Sequence, residues 1–323
     1  MYDEHHRTEQ EDTDGSLQAF SDGRNLAEMT TGDELIRSFS DLQTWKRGSE
    51  RAPHKPLLVL LALGRMVRGD SRLISFSALE SDLARLLIDF GPPRASVHPE
   101  YPFWRLQRDG IWEVVTSKPL KSRRGNTDPL KSELVALAVE GGFPSQIFEA
   151  LKKRPEIIRS IAHDLLKAHF PESLHSAIST AVGIDLDATS RNPIRDARFR
   201  DEVIAAWGHR CGFCGYDLKL DNSDLGPEAA HIQWVQAGGP DTLSNGISCC
   251  ALHHQSLDRG ATGIDKEMRI LVSSRLHGNV LLNQLFLVLK GRPLALPSIV
   301  SAVPRIEFIT WHRAEVFRGE PMD

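Results

Sequence analysis

Apolar positions recur along this chain mostly at helical spacing, interrupted where prolines and glycines cluster. From about Asp33, the N-cap of the first predicted helix, Leu35, Ile36, Phe39 and Leu42 lie on one helical face. Leu57 to Leu63 is apolar all round, so a helix with Pro56 in its first turn is expected at the centre of a core. Ile74-Ser75-Phe76 reads as a short strand, followed by a helix through Leu79, Leu83, Leu86 and Leu87 to Ile88. Four prolines between Gly91 and Arg105 predict a stiff loop, and Leu106 to Val115 a β-hairpin turning at Asp109-Gly110 with Trp112 inside. Helices return over 130–180, around Leu134, Leu137, Phe143, Ile147 and Leu151, then Ile157, Ile158, Ile161 and Leu165.

Residues 185–192 lack apolar periodicity and read as a linker. Beyond it a helix carries Phe199, Val203 and Trp207, and Ala229-Ala230 with Ile232 mark a short strand around His231. Gly238-Gly239-Pro240 forces a turn, a further apolar run follows Asn245, and a helix carries His253 and His254. A strand over Met268–Val272, an apolar segment Val280–Lys290 and the motif Ile309 to His312 with Phe317 complete the pattern, His312 reading as a packed core histidine. The fold class is α+β, in two domains (31–184 and 193–323) behind an acidic segment, 1–30.

Composition leaves this picture in place: 323 residues suit about two domains, and 41% hydrophobic with 25% charged residues is ordinary for a globular protein. The longest apolar run is too short to span a bilayer, so no membrane partner is expected. The first thirty residues are polar and resemble no secretory signal. Charge changes it more. The formal net charge is −4, but Met1 to Thr30 carries eight acidic residues against Arg7 and Arg24. Without that segment, which reads as disordered, the rest stands at about +2, compatible with a DNA partner.

All four cysteines fall between 211 and 250, so disulfides are not expected and a reducing cytoplasm is. Cys211 and Cys214 form a C-x2-C pair, and Cys250 with His253 a second pair of the same spacing. Two tight pairs of N/S ligands some forty residues apart describe a closed structural Zn²⁺ site. Cys249 is the alternative to Cys250, at poorer spacing from His253. His231, Asn245 and His254 are threaded through these pairs.

The segments AAHI, LSNGI and CCALHH, in this order and interleaved with the zinc pairs, resemble the HNH endonuclease family. The resemblance implies a zinc-stabilised ββα-metal nuclease domain in which His231 is the general base, Asn245 fixes the loop that orients it, and His254 holds a catalytic Mg²⁺ or Mn²⁺. Phosphodiester hydrolysis needs those parts: a group that takes a proton from water near neutral pH, and a cation opposite the charge that develops on phosphate. Many family members carry Asp before the first His. Here that position is Ala230, and Glu228, two residues back on the strand, is the nearest carboxylate for the role.

In the first half, RAPHKP followed by ASVHPEYPFWRL resembles the sulfur-binding domain of restriction enzymes that recognise phosphorothioate DNA, over roughly residues 30 to 170. A phosphate bearing sulfur keeps its charge but is hydrated less strongly at that atom. A small apolar cavity accepts it, while an oxygen there forgoes hydrogen bonds at a cost of about 1–3 kcal/mol. Pro99, Tyr101 and Pro102, with Ala95, are the expected wall. Arg51, His54, Lys55, Arg94, Ser96, His98 and Arg105 are the expected contacts to flanking phosphates and base edges. The basic run Lys118 to Arg124, and Arg195, Arg198, Arg200 and Arg210, are further cations on a path for DNA.

The two resemblances together imply a restriction endonuclease that binds phosphorothioate-modified double-stranded DNA and cuts nearby, leaving 5′-phosphate and 3′-hydroxyl ends. Double-strand cutting by one HNH site makes a homodimer the expected partner arrangement. A methylated-DNA reader on the same nuclease, and a zinc-containing regulator that binds DNA without cutting it, are the competing readings.

Overall fold

A computed structural model describes residues 32–42, 52–120, 128–186, 197–221 and 223–322. Arg51, Arg195, the acidic segment 1–30, residues 121–124 of the basic run and residues 187–192 of the linker lie outside the described residues.

The first half is built around one helix. α1 (Gly32–Ser40) precedes α2 (His54–Val67), in which every residue from Pro56 to Gly64 is buried. Each leucine there contributes about 1.5–3 kcal/mol relative to exposure. α2 is enclosed by α3 (Phe76–Phe90), α4 (Glu100–Arg105), α7 (Pro155–His169) and α8 (Glu172–Val182). It approaches α8 so closely that a Cβ on Gly64 would lie 1.8 Å from the Val182 carbonyl. α5 (Lys131–Ala136) and α6 (Ser145–Lys152) complete the helical shell.

One small antiparallel sheet lies against it, in the order β1 (Ile74–Ser75), β3 (Glu140–Gly142), β2 (Glu113–Val115). Its central strand replaces the predicted hairpin. Leu106–Asp109 is a 3-10 turn closed by Gly110 at positive φ, and β2 finds its partner at 140–142 instead. Phe76 opens α3 instead of ending a strand, and α1 already includes Gly32 and Asp33. The proline-rich stretch is a loop only as far as His98. Pro99 sits at the N-cap of α4, so Tyr101 to Arg105 are helical.

The second half begins with α9 (Ala197–Ala206) and a two-residue hairpin, β4 (Lys219–Leu220) with β5 (Ser223–Asp224). β6 (Pro227–His231) pairs antiparallel with β7 (Gly246–Cys250), which runs directly into α10 (Ala251–Asp258). A further hairpin of β8 (Thr262–Ile264) and β9 (Ile270–Val272), then α11 (Val280–Leu285) and α12 (Ile306–Glu315), fold back over this unit. His312 is buried and donates from Nε2 to the Leu257 carbonyl (2.9 Å), tying α12 to α10.

Two clusters of buried apolar side chains result, one from Leu35 to Ile184 and one from Phe199 to Ile309. Trp234, Trp311 and Val316 belong to the second half in sequence but pack into the first cluster. Among the described residues no helix is long and apolar enough to cross a membrane.

Candidate functional site

The ββα unit brings the cysteine pairs together. Gly212 donates to the Ser248 carbonyl (2.8 Å), and Gly215 to the Cys211 carbonyl (2.9 Å), folding 211–215 into a tight turn against β7. Cys250 caps α10 and His253 sits in its first turn. The ligand atoms of Cys211, Cys214, Cys250 and His253 all lie within 4.8 Å of one another, including Cys250 Sγ to His253 Nδ1 at 3.2 Å and Cys214 Sγ to Cys250 Sγ at 4.0 Å. A tetrahedron around Zn²⁺ with ordinary bond lengths has edges of about 3.5–3.8 Å, so this donor set fits a metal such as zinc. Cys249 is buried in the adjoining core and is outside the group.

Neighbouring Cys214, Cys249 and Cys250 drive the Cys211 thiol strongly down, and its thiolate in turn pushes Cys214 up. Burial lowers the His253 pKa, but bonds to Cys211 and Cys250 outweigh it and raise the ring to about 9.

The second constellation surrounds a cleft of about 870 Å³ where α8 faces the ββα unit. His231, at the end of β6, stacks on Phe199 of α9 (centroids 4.1 Å apart, planes at 11°). Gly246 opposite it makes this possible, since a Cβ there would lie 2.4 Å from Val203 and 3.2 Å from the Phe199 ring. His231 donates from Nε2 to Asp241 Oδ1 (2.7 Å).

Asn245 is fully buried and saturated. Its Oδ1 accepts from the Gln233 amide (2.8 Å), and its Nδ2 donates to the Gln233 and Pro240 carbonyls (both 3.0 Å). The clamp spans the Gly238-Gly239-Pro240 turn, where a Cβ on Gly239 would strike the Gln233 carbonyl at 1.9 Å.

His254 lies between two carboxylates: Nδ1 to Glu228 Oε2 at 2.5 Å and Nε2 to Asp258 Oδ2 at 3.2 Å. Burial disfavours its charge, yet Asp258 and Glu228 together raise its pKa to about 10. Asp258 also accepts from Trp234 Nε1 (3.1 Å) and from the Ser173 hydroxyl of α8. His231, Asp241, His254 and Asp258 all line the cleft, whereas Ala230 is buried in the core. Glu228 reaches His254 from the strand but does not line the cleft. Among the described residues, three or more ligand atoms converge only at the Cys/His group.

The sequence signal did not reveal Asp241 or Asp258. The first depends on the turn that Asn245 closes, and the second is the last residue of α10, one turn beyond His254.

In the first half, Ser96, His98, Pro99, Tyr101, Pro102 and Arg105 lie in or just before α4, whereas His54 and Lys55 open α2 and Arg94 reaches α12. Tyr101 is stacked on His98 (ring centroids 4.6 Å apart), and the Arg105 guanidinium lies over its ring, 4.7 Å from the centroid. Ser96 Oγ meets His98 Nε2 at 2.8 Å, and His98 Nδ1 meets Glu100 Oε1 at 2.8 Å. Pro99 and Pro102 are buried instead of forming an open wall, while Ala95 is exposed. Lys55 pairs with Asp109 (2.5 Å), Arg105 with Asp128, and Arg94 with Glu315 of α12 (3.1 Å). His54 starts α2 and is half-buried. Outside this cluster, Arg198 pairs with Glu202, and Arg200 lies beside Asp201 and the Pro227 carbonyl.

Residues 32–187 match the family of ScoMcrA-like DNA sulfur-binding domains. Among solved structures, the chain is similar to the sulfur-binding domain of ScoMcrA complexed with phosphorothioated DNA. That likeness is 25% identical with a TM-score of 0.40, covering 46% of this chain and 94% of the other. The sulfur-binding and SRA domains of ScoMcrA give 25% identity and a TM-score of 0.42 over 55% of this chain and 57% of theirs. The Type IV phosphorothioation-dependent restriction endonuclease ScoMcrA gives 25% and 0.39, over 50% of this chain and 30% of its own. No curated protein matches the chain.

Proposed function

We propose, from the premise that residues 32–187 are a DNA sulfur-binding domain, that this chain reads phosphorothioate DNA and cuts phosphodiester bonds beside the mark. The observation that carries the second part is the Asn245 clamp beneath His231, on a hairpin and helix that share their residues with a four-ligand Cys/His group. This is the arrangement an HNH nuclease needs, and Cys211, Cys214, Cys250 and His253 would hold its structural zinc.

His231 takes a proton from the attacking water, whose oxygen bonds to phosphorus as the P–O3′ bond breaks. The leaving 3′-oxygen then gains a proton, giving 5′-phosphate and 3′-hydroxyl ends. His254 is the residue that would hold a divalent ion such as Mg²⁺ or Mn²⁺, which would have to replace the Glu228 or Asp258 carboxylate on one of its ring nitrogens. When bound, that ion supplies positive charge opposite the developing negative charge on phosphate. Asn245 keeps the turn, and with it His231, in place. Tyr101, in contact with His98 and Arg105, belongs to the surface that would meet the sulfur-bearing phosphate, and Arg51, His54, Lys55, Arg94 and Ser96 are the side chains assigned to the flanking phosphates and base edges. Tethering this reader to the nuclease raises the local concentration of the cutting site at a mark. Cutting both strands takes two such centres, which a homodimer supplies.

One observation favours a second reading. With Ala230 where a carboxylate ligand is usual, the domain could retain the ββα shape and bind DNA without cutting it. Plasmid digestion with Mn²⁺ separates these readings, using phosphorothioate, methylated and unmodified DNA. Cleavage confined to phosphorothioate DNA and abolished by His231→Ala is expected. Cleavage confined to methylated DNA would replace the reader, and binding without cleavage would leave the regulator.

A further inference from the structure

We infer that Asp241 is the positioning residue for His231, and that Asn245 acts on the catalytic imidazole through it. The inference rests on the nuclease reading above and names the group that sets the base. Asp241 Oδ1 accepts from His231 Nε2 at 2.7 Å. Asn245 holds the chain on both sides of Asp241, its Nδ2 donating to the Pro240 carbonyl (3.0 Å) and its backbone amide to the Thr242 carbonyl (2.9 Å). On the other side the imidazole is fixed by its stack on Phe199. Ring plane and in-plane rotation are therefore set by two different elements, α9 and the 238–242 turn.

The chemical consequence is a choice of tautomer. An ionised carboxylate can only accept, so the ring proton resides on Nε2 and the basic lone pair on Nδ1. When His231 takes a proton from water at Nδ1, both nitrogens carry hydrogen and the adjacent carboxylate stabilises the cation formed. A carboxylate behind a catalytic histidine does the same in hydrolases of unrelated fold. The carboxamide Asp241→Asn keeps the size but can donate as well as accept, which relaxes the constraint that Asp241 places on the tautomer.

The test uses the full zinc-loaded chain with ¹⁵N-labelled histidine, and assigns the His231 ring through His231→Gln. At pH 8 the wild-type ring should show Nε2–H and an unprotonated Nδ1. In Asp241→Asn the ring should populate the Nδ1–H form. The turnover of modified plasmid should fall about 10²–10³-fold, the scale of a general base that has lost its orientation. Affinity for a modified duplex, measured by anisotropy, should change less than twofold, and Asp241→Glu should recover part of the turnover. Ring resonances unchanged in Asp241→Asn, or turnover within threefold of wild type, would overturn the inference. Failure of the nuclease reading looks different: His231→Ala would then cut as fast as wild type, whatever the tautomer does.

Discussion

His231, His253 and His254 lie on one hairpin and the helix that follows it, yet each ring meets different neighbours. His253 faces thiols, His254 two carboxylates, and His231 an aromatic face and one carboxylate. The pKa of His254 bears directly on stability. It is raised from 6.5 to about 10, so in protein kept free of added Mg²⁺ and Mn²⁺ it remains protonated at neutral pH. The stabilisation it provides is complete below about pH 6.5 and is lost as pH climbs through 10. Thermal midpoints of wild type and His254→Gln, compared at pH 6, 8 and 10, should therefore converge at the alkaline end. For Cys211→Ser, zinc measured by atomic absorption should drop from about one per chain to none, with the second half of the protein losing protection in hydrogen exchange. Asn245→Ala leaves three backbone groups without their partner and should lower stability by at least about 2 kcal/mol in urea titration.

Among elements, the β6–β7 hairpin with α10 was legible because its Cys/His pairs announce themselves by spacing. Two residues between Cys211 and Cys214, and two between Cys250 and His253, mean the same geometry in any fold. α2 was legible from its unbroken apolar run. β3 was not: Glu140-Gly141-Gly142 carries no alternation, and Gly141 is there because a Cβ would strike the Phe103 and Trp112 rings at 2.8 and 2.9 Å. The same holds for α4, where prolines that suggested a loop instead cap and fill the first turn of a helix. Gly246 gives an element-scale test. Gly246→Val should push α9 from the hairpin, separate Phe199 from His231 and destabilise by about 1–3 kcal/mol. Cleavage should fall while zinc content remains near one per chain.

Across the whole molecule, the two halves share a seam made of specific contacts. Arg318 donates to the Ile88, Asp89 and Gly91 carbonyls where α3 ends, Gln236 donates to the Phe170 carbonyl (3.0 Å), and Arg94 pairs with Glu315. Arg94 thus serves the seam and is also a predicted DNA contact, so it cannot satisfy Glu315 and a phosphate equally. Glu315→Gln should tighten binding to modified DNA and steepen its salt dependence by up to about one unit of log–log slope, read by anisotropy at several salt concentrations. Trp234 lies in the same seam, its indole nitrogen on Asp258 and its ring 6.0 Å from Trp311. Because it is shielded by side chains of the first half, any parting of the halves would wet this indole and shift its emission to longer wavelength. The protein thus carries an intrinsic fluorophore at its own joint, and a stopped-flow trace on mixing with DNA would time the movement without any label.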